Sequence, residues 1–460
     1  MPLSRTANPA ASAADAASRT KVRYVILALI FVITTLNYAD RATLSVTGSA
    51  MRAEFGFDAI RMGYIFSAFS WAYVLSQLPA GWILDRFGAR RVYATSIFLW
   101  SLFTLLQSTV GLVGGAAAAI AGLFVLRFLM GIAEAPAFPA NAKVVASWFP
   151  TNERGTASAV FNSAQYFAAV VFTPLMAWLT HAFGWHQVYV VMGIGGLLLA
   201  LTWLGMMKNP ADHRAVNASE LAYIADGGAL VHGEARRAAG AAASPDARRG
   251  GGWSIVRQLL GNRMLLGVYL AQYCINVLTY FFLTWFPLYL VQARHMTILK
   301  AGLVASLPAI CGFCGGVLGG VLSDAMIRAG ASLTLARKVP IVGGMLLSAS
   351  IVGCNYVNTD WVVVALMSLA FFGKGIGALG WAVVADTAPR EAIGLSGSIF
   401  NMFGNIAGIV TPIVIGYLVA RTGSFNGALA FVGINALVTV FCYLVIVKDI
   451  RRVELRPLGG

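Results

Sequence analysis

Twelve runs of apolar residues, each about 20 long and so able to cross roughly 30 Å of hydrocarbon, divide this sequence. They begin near Tyr24, Met62, Val92, Ala116, Thr156, Val188, Met264, Gly302, Val339, Trp361, Ile393 and Ala428. In hydrocarbon every backbone N–H and C=O must pair inside its own segment or in a closed barrel, so runs this long and continuous are helices, not strands. With 58% of the 460 residues hydrophobic and 11% charged, too few polar side chains remain to cover a water-soluble surface. A soluble enzyme and a nucleic-acid binder are thereby excluded. The expected fold is an all-α integral membrane protein of twelve transmembrane helices.

The formal charge of +15 would invite a nucleic-acid reading if it were not for where the basic residues fall. With the N-terminus inside, 24 of the 33 Lys and Arg lie in cytoplasmic segments, five in outer loops (Arg52, Arg61, Arg294, Lys300, Arg421), and four within helices (Arg41, Arg127, Lys143, Lys374). Arg328, Arg337 and Lys338 are counted among the loops, between the eighth and ninth runs. This bias is the positive-inside pattern, and it places both termini in the cytoplasm. Residues 1–20, rich in Ala and Ser without an apolar core, read as a disordered tail, not as a cleaved leader. The five cysteines, Cys274, Cys311, Cys314, Cys354 and Cys442, lie inside apolar runs and read as small buried hydrophobes.

A shift of 239 residues brings the two halves into register. Residues 144–162 then lie over 383–401 without a gap, with seven of nineteen positions identical, and the same shift sets Gly81 on Gly320, Asp85 on Asp324 and Asn37 on Asn276. The chain is thus expected to form two six-helix bundles in parallel repeat: 21–207 and 263–447, joined by a cytoplasmic linker at 208–262 and followed by a tail at 448–460. A substrate site belongs between the bundles, near mid-membrane.

Ionisable groups in hydrocarbon cost at least about 2.5 to 3.5 kcal/mol each, so each needs a cavity or a partner. Asp40 and Arg41 sit in the first run, Arg127 and Glu134 in the fourth, and Lys374 in the tenth. Lys143, near the end of the fourth, reads as a lysine reaching the interface. Arg127 and Glu134 are two helical turns apart, on one face but too distant for a tight ion pair. Under the 239 shift the four ionisable positions of the first half become Thr279, Tyr280, Leu366 and Gly373, so paired acid and base exist in one bundle alone. They could serve as an ion-pair network between the first and fourth helices. Alternatively the arginines hold an anion and the acids carry protons. Arginine stays charged and matches a carboxylate bidentately, whereas a carboxyl group withdrawn from water favours its protonated form. With Lys374 included, the set is +1 with both acids ionised and +3 with both protonated, a balance suited to a dianion taken up with protons.

Tyr38, Tyr73, Gln165, Trp381, Asn401 and Asn405 add hydroxyl, indole and amide groups within helices, as a hydroxylated substrate requires. Glycine-dense runs at 312–320 and 373–380 allow helices to approach closely. Pro136, Pro139 and Pro412 predict kinks. No metal or cofactor is expected, only the proton as coupling ion. An embedded enzyme would need a nucleophile or metal cluster, whereas the histidines fall in loops or at helix ends; a channel would conduct without coupling.

The stretch GWILDRFGARR at 81–91 resembles the loop motif between helices 2 and 3 of the major facilitator superfamily. That resemblance implies a gating charge cluster built from Gly81, Asp85, Arg86, Gly88, Arg90 and Arg91. Within the superfamily, NYADRATLSV at 37–46, MGYIFSAFSWAYVLSQLPAGW at 62–82, RFLMGIAEAPAFPAN at 127–141 and SIFNMFGNIAGIVTPI at 398–413 resemble the bacterial anion:cation symporters that import sugar acids. The resemblance implies proton coupling at Asp40 and Glu134 and carboxylate binding at Arg41 and Arg127. It assigns a sugar-acid pocket to Tyr38, Tyr73, Gln165, Trp381 and Asn401. FFGKGIGALGWAVVAD at 371–386 looks most like the glucarate and galactarate branch, whose substrates carry a carboxylate at each end. Lys374 would then either meet the second carboxylate or pair with Glu134 in the empty protein. The expectation is a monomeric inner-membrane symporter of a small organic anion and protons, with galactonate or hexuronate carriage and anion exchange as alternatives.

Overall fold

The computed structural model describes residues 19–112, 114–150, 153–229, 231, 251–389 and 392–455. The first bundle contains α1 (Val22–Phe55), α2 (Ala59–Phe87), α3 (Ala89–Gln107), α4 (Ala116–Glu134) continued by α5 (Ala137–Trp148), α6 (Arg154–Phe183) and α7 (Trp185–Met206). Two short helices follow, α8 (Ala218–Asp226) and α9 (Gly251–Gly261). The second bundle begins with α10 (Arg263–Tyr280), a π-helical turn (Phe281–Trp285) and α11 (Phe286–Gln292), which together make one crossing. It continues with α12 (Ile298–Arg328), α13 (Leu333–Ser348), α14 (Asp360–Ile376) with α15 (Gly380–Thr387), α16 (Ile393–Thr422) and α17 (Asn426–Phe441). These make twelve rods, six in each bundle, and ten are apolar enough by length and composition to cross a bilayer. Of the other two, α3 opens on Arg90 and Arg91, which lower its mean hydropathy.

Local sequence explains where the rods break. Pro136 has no N–H to offer, and α4 ends at Glu134 before α5 starts one residue beyond the proline. Gly88, at φ 80, turns the chain between α2 and α3. The glycine-dense runs bring α12 and α14 together: a Cβ at Gly315 would strike the Phe372 carbonyl, and one at Gly375 the Gly312 carbonyl. Lipid gives helices no hydrophobic reason to associate, so contact of this closeness is what small residues contribute.

The first and last described segments lie on one face. Glu220 of α8 accepts from the backbone N–H groups of Val22 and Arg23 at the start of α1, at 2.9 and 3.2 Å. The segment after the last rod packs on the same end of the second bundle, where Val453 N–H donates to the Thr387 carbonyl at 2.9 Å. On the opposite, far face the bundles meet closely: Arg52 donates to Gln292, Phe66 packs edge-on against Trp285, and the Tyr64 and Tyr417 hydroxyls lie 3.2 Å apart. Toward the terminus-bearing face the described side-chain hydrogen bonds between bundles stop at Asn401 and Gln77, 3.3 Å apart. Beyond that level Trp82 and Trp381 are 59% and 57% exposed. The space between bundles is closed at the far face and opens toward the termini.

Two expectations need correction. Arg328, Arg337 and Lys338 are helical, the first closing α12 and the other two within α13, not in a loop. Arg337 there donates to Asp386 and to Ser323, each at 2.9 Å, because the end of α12 and the α15 carboxylate face it. Among the cysteines, Cys274, Cys354 and Cys442 are buried, but Cys311 is half-buried and Cys314 exposed, since their spacing of three residues sets both on one outward-leaning side of α12. Of the tail expected at 1–20, residues 1–18 lie outside the described residues, and Thr20 donates its hydroxyl to Glu220 at 2.6 Å.

Candidate functional site

The charged residues of the first bundle converge. Arg41, on α1, sends Nε to Glu134 Oε2 at 2.8 Å, with Arg41 8% and Glu134 0% exposed. Glu134 closes α4, where the helix presents carbonyls and a carboxylate is poorly placed, and the guanidinium offsets that cost. Three aromatic rings hold the same guanidinium: Phe69, Tyr38 and Tyr73, with centroids 4.7, 5.0 and 5.0 Å from its carbon. Arg127, one face of α4 and two turns before Glu134, donates instead to the Arg41 backbone carbonyl at 3.2 Å. Its Nε and Nη1 are enclosed without a partner, as are both carboxylate oxygens of Asp40. Asp40 lies within electrostatic range of Glu134 and Arg127.

The second bundle answers with one cation. Lys374, in the last turn of α14, is 6% exposed and makes no ion pair among the described residues. Its Nζ sits 5.1 Å from the Phe371 ring centroid and 6.0 Å from that of Tyr166. Glu134 is thus paired with Arg41, and Lys374 stands apart from both.

A pocket lies between the bundles; Arg41, Glu134 and Lys374 stand behind its lining residues and are not among them. Tyr38, Ser45, Gln165 and Tyr166 line it from the first bundle; Thr279, Phe282, Pro308 and Phe371 line it from the second. Tyr38 is the ring against Arg41, while Tyr166 and Phe371 are the rings against Lys374, so the two cationic centres back onto different parts of one wall.

The remaining sequence candidates are spread around this centre. Tyr73 stacks on Phe69 behind Arg41. Asn405 donates to the Asn401 carbonyl at 2.8 Å and accepts from the Tyr280 hydroxyl at 3.0 Å. Trp381 packs edge-on against Phe400, on the open side. Of the loop motif, Gly81 lies within α2, Arg86 covers the Trp82 ring, Arg90 donates to the Leu204 carbonyl at 2.8 Å and Arg91 is exposed. The Asp85 side chain lies outside the described residues.

Three residues that line the pocket, Tyr166, Phe371 and Thr279, and Gln77 at the seam between bundles are not singled out by the sequence. An aromatic residue inside an apolar run reads as lipid-facing or core, so nothing marked Tyr166 and Phe371. Thr279 was marked only as the repeat partner of Asp40, and Gln77 carried the weak signal of an amide within a membrane helix.

The sequence model described as Major Facilitator Superfamily matches residues 30–336. The chain is 60% identical over 446 residues to a protein named "Probable galactarate/D-glucarate transporter GudP" from Bacillus subtilis, covering 97% of this chain and 96% of that one. It is 58% identical over 449 residues to the protein of the same name from Escherichia coli, covering 98% of each. Among solved structures it is similar to a bacterial homologue of the human lysosomal transporter Spinster in an inward-facing, unoccupied conformation. That similarity has a TM-score of 0.72 at 15% identity, over 93% of this chain and 98% of the other.

Proposed function

The chain belongs to the Major Facilitator Superfamily, and from that membership and the geometry of its central cavity we propose that it imports a hexarate dianion, D-glucarate or galactarate, by proton symport. The observation that carries the reading is the 2.8 Å bond between Arg41 and Glu134 behind the cavity wall. With Glu134 ionised and bonded to its Nε, the Arg41 charge is already balanced and draws a substrate carboxylate less strongly, although its Nη2 has no partner. Protonating Glu134 removes its charge and releases the Arg41 fork, so that proton uptake and anion binding favour each other. Arg127, with two unpaired N–H groups, and Asp40, with no partner for either oxygen, form a second acid–base couple beside the first.

Lys374 supports a dianion over a monocarboxylate such as galactonate. A buried ammonium held only by two ring faces gains most from a ligand carboxylate reaching it from the cavity. The names borne by the relatives agree with that chemistry. In this reading Gln165 and Tyr38 meet the substrate within the cavity, Asn401 and Asn405 act through the seam between bundles, and Trp381 guards the open side. The terminus-bearing face is cytoplasmic in the bacterial inner membrane, by the positive-inside bias, and the described state is open to the cytoplasm. The motif around Asp85 then joins the bundles on that face in the opposite state.

The test is uptake of labelled D-glucarate into proteoliposomes holding the purified protein, with an inward proton gradient imposed and then collapsed. Accumulation is expected to vanish with the gradient and to resist excess galactonate. Glu134→Gln, a permanently uncharged mimic, is expected to lose gradient-driven accumulation while retaining exchange of labelled for unlabelled glucarate. Accumulation independent of the gradient would sink the symport mechanism, and carriage of galactonate alone would sink the dianion.

A further inference from the structure

A threonine inside a membrane helix ordinarily gives its hydroxyl proton to a carbonyl one turn back, because lipid offers no other acceptor. This chain follows that habit widely. Thr34 donates to the Ile30 carbonyl, Thr47 to that of Thr43, Thr180 to that of Met176, and Thr284 to that of Tyr280, all between 2.6 and 2.9 Å. Thr279 does not: its hydroxyl oxygen is enclosed and has no partner. Thr411 shares the deficit, but it is 0% exposed and does not line the cavity, whereas Thr279 does.

The backbone around Thr279 is also unusual. Two residues on, the rod passes through the π-helical turn Phe281–Trp285, where an extra residue per turn re-aims the side chains that follow. Phe282, Leu283 and Phe286 of this turn and the next line the same cavity. The repeat-related rod α1 is one unbroken helix from Val22 to Phe55, so the distortion belongs to the second bundle and is no general property of the repeat. Thr279 occupies the place that Asp40 holds in the first bundle. A neutral donor and acceptor therefore stands opposite an acid.

We infer that Thr279 is a specificity-determining residue, whose unpaired hydroxyl takes a hydrogen bond from, or gives one to, a hydroxyl of a polyhydroxylated substrate. The inference rests on the proposed hexarate reading and deepens it: Arg41, Arg127 and Lys374 address the ends of the dianion, while Thr279 addresses its hydroxylated middle. A hydroxyl that has no partner in the empty protein loses nothing of its own on binding, so the contact is realised in full by the ligand.

The test is equilibrium binding of labelled D-glucarate to the purified full-length protein and to Thr279→Val and Thr279→Ser. Valine keeps the shape and removes the hydroxyl; serine keeps the hydroxyl. Thr279→Val is expected to raise Kd by roughly three- to tenfold, the worth of one neutral hydrogen bond, and Thr279→Ser to bind as the parent does. Should Thr279→Val fail to fold, Thr279→Ala removes the same group without added bulk. Parental affinity in the valine or alanine variant overturns the inference. So does an equal loss in the serine variant, which would assign the effect to packing. A parent protein that binds no hexarate overturns the proposed function and this inference together, and so is told apart from a failure confined to Thr279.

Discussion

Arg52, in the last turn of α1, donates to Gln292, the last residue of α11, across 2.6 Å, and so fastens one bundle to the other at the far mouth. A partly buried bond of this kind contributes about 1 kcal/mol to whichever state contains it. Gln292→Ala should therefore shift the protein roughly fivefold toward the state open at the far face. Hydrogen–deuterium exchange reports this directly, as faster exchange of the amides around Gly56. Unchanged exchange would show that the seam of ring contacts holds that face by itself.

The same seam contains a position with no room. A Cβ at Gly63 would lie 2.6 Å from the Pro412 carbonyl oxygen, backbone that no side-chain rotation can clear. Gly63→Ala should destabilise the described state by about 1 to 3 kcal/mol, the usual range for overpacking. It should also slow release of substrate more than capture. Single-turnover release from proteoliposomes checks the direction.

Arg41→Lys tests whether charge alone suffices at the centre. Lysine keeps the charge but loses both the planar fork and the stacking on Phe69, Tyr38 and Tyr73. Binding of D-glucarate should weaken by about 10- to 100-fold, the equivalent of roughly 1.5 to 3 kcal/mol for one charge-assisted bond. Equal affinity in the lysine variant would remove Arg41 from the proposed carboxylate site.

Glu220 carries a pH signature outside the membrane. Burial alone would raise the pKa of this carboxyl, but donation from the Thr20 hydroxyl, the Val22 and Arg23 N–H groups and the Arg23 guanidinium overrides it and leaves the pKa below the usual glutamate value. A depressed folded pKa adds stability that is fully present above the unfolded value of about 4.5 and is lost as pH falls through the folded one. The melting temperature of the parent should thus fall as the medium is acidified below about pH 4.5. Glu220→Gln should melt lower at neutral pH and respond less to acid. Parallel melting curves for the two proteins would show that the clasp on α1 is energetically idle.

How much of this was legible beforehand depends on how conspicuous each residue is against its background. A charge in an apolar run cannot be overlooked, and Asp40, Arg41, Arg127, Glu134 and Lys374 were all readable as a group. Their pairing was not. That Arg41 rather than Lys374 meets Glu134 depends on how α1 and α4 are rotated, which no spacing along one helix reveals. The end of α4 was foreshadowed by Pro136, whose missing N–H acts locally. The π-helical turn after Thr279 left no trace in composition, since FFLTW reads as ordinary apolar helix. The helicity of Arg337 was obscured for the opposite reason: polar residues at a helix end look like a loop until a partner such as Asp386 is brought beside them.

Asp40, Arg41, Arg127 and Glu134, the buried acids and bases around the cavity, all belong to α1 and α4, and the second bundle contributes Lys374. Substitutions along α10–α17 therefore leave the internal salt balance of the first bundle untouched. Cargo preference can drift on one half of the molecule while the energetics of the other stay put, and a gene of this design could acquire a new diet without having to reinvent its engine.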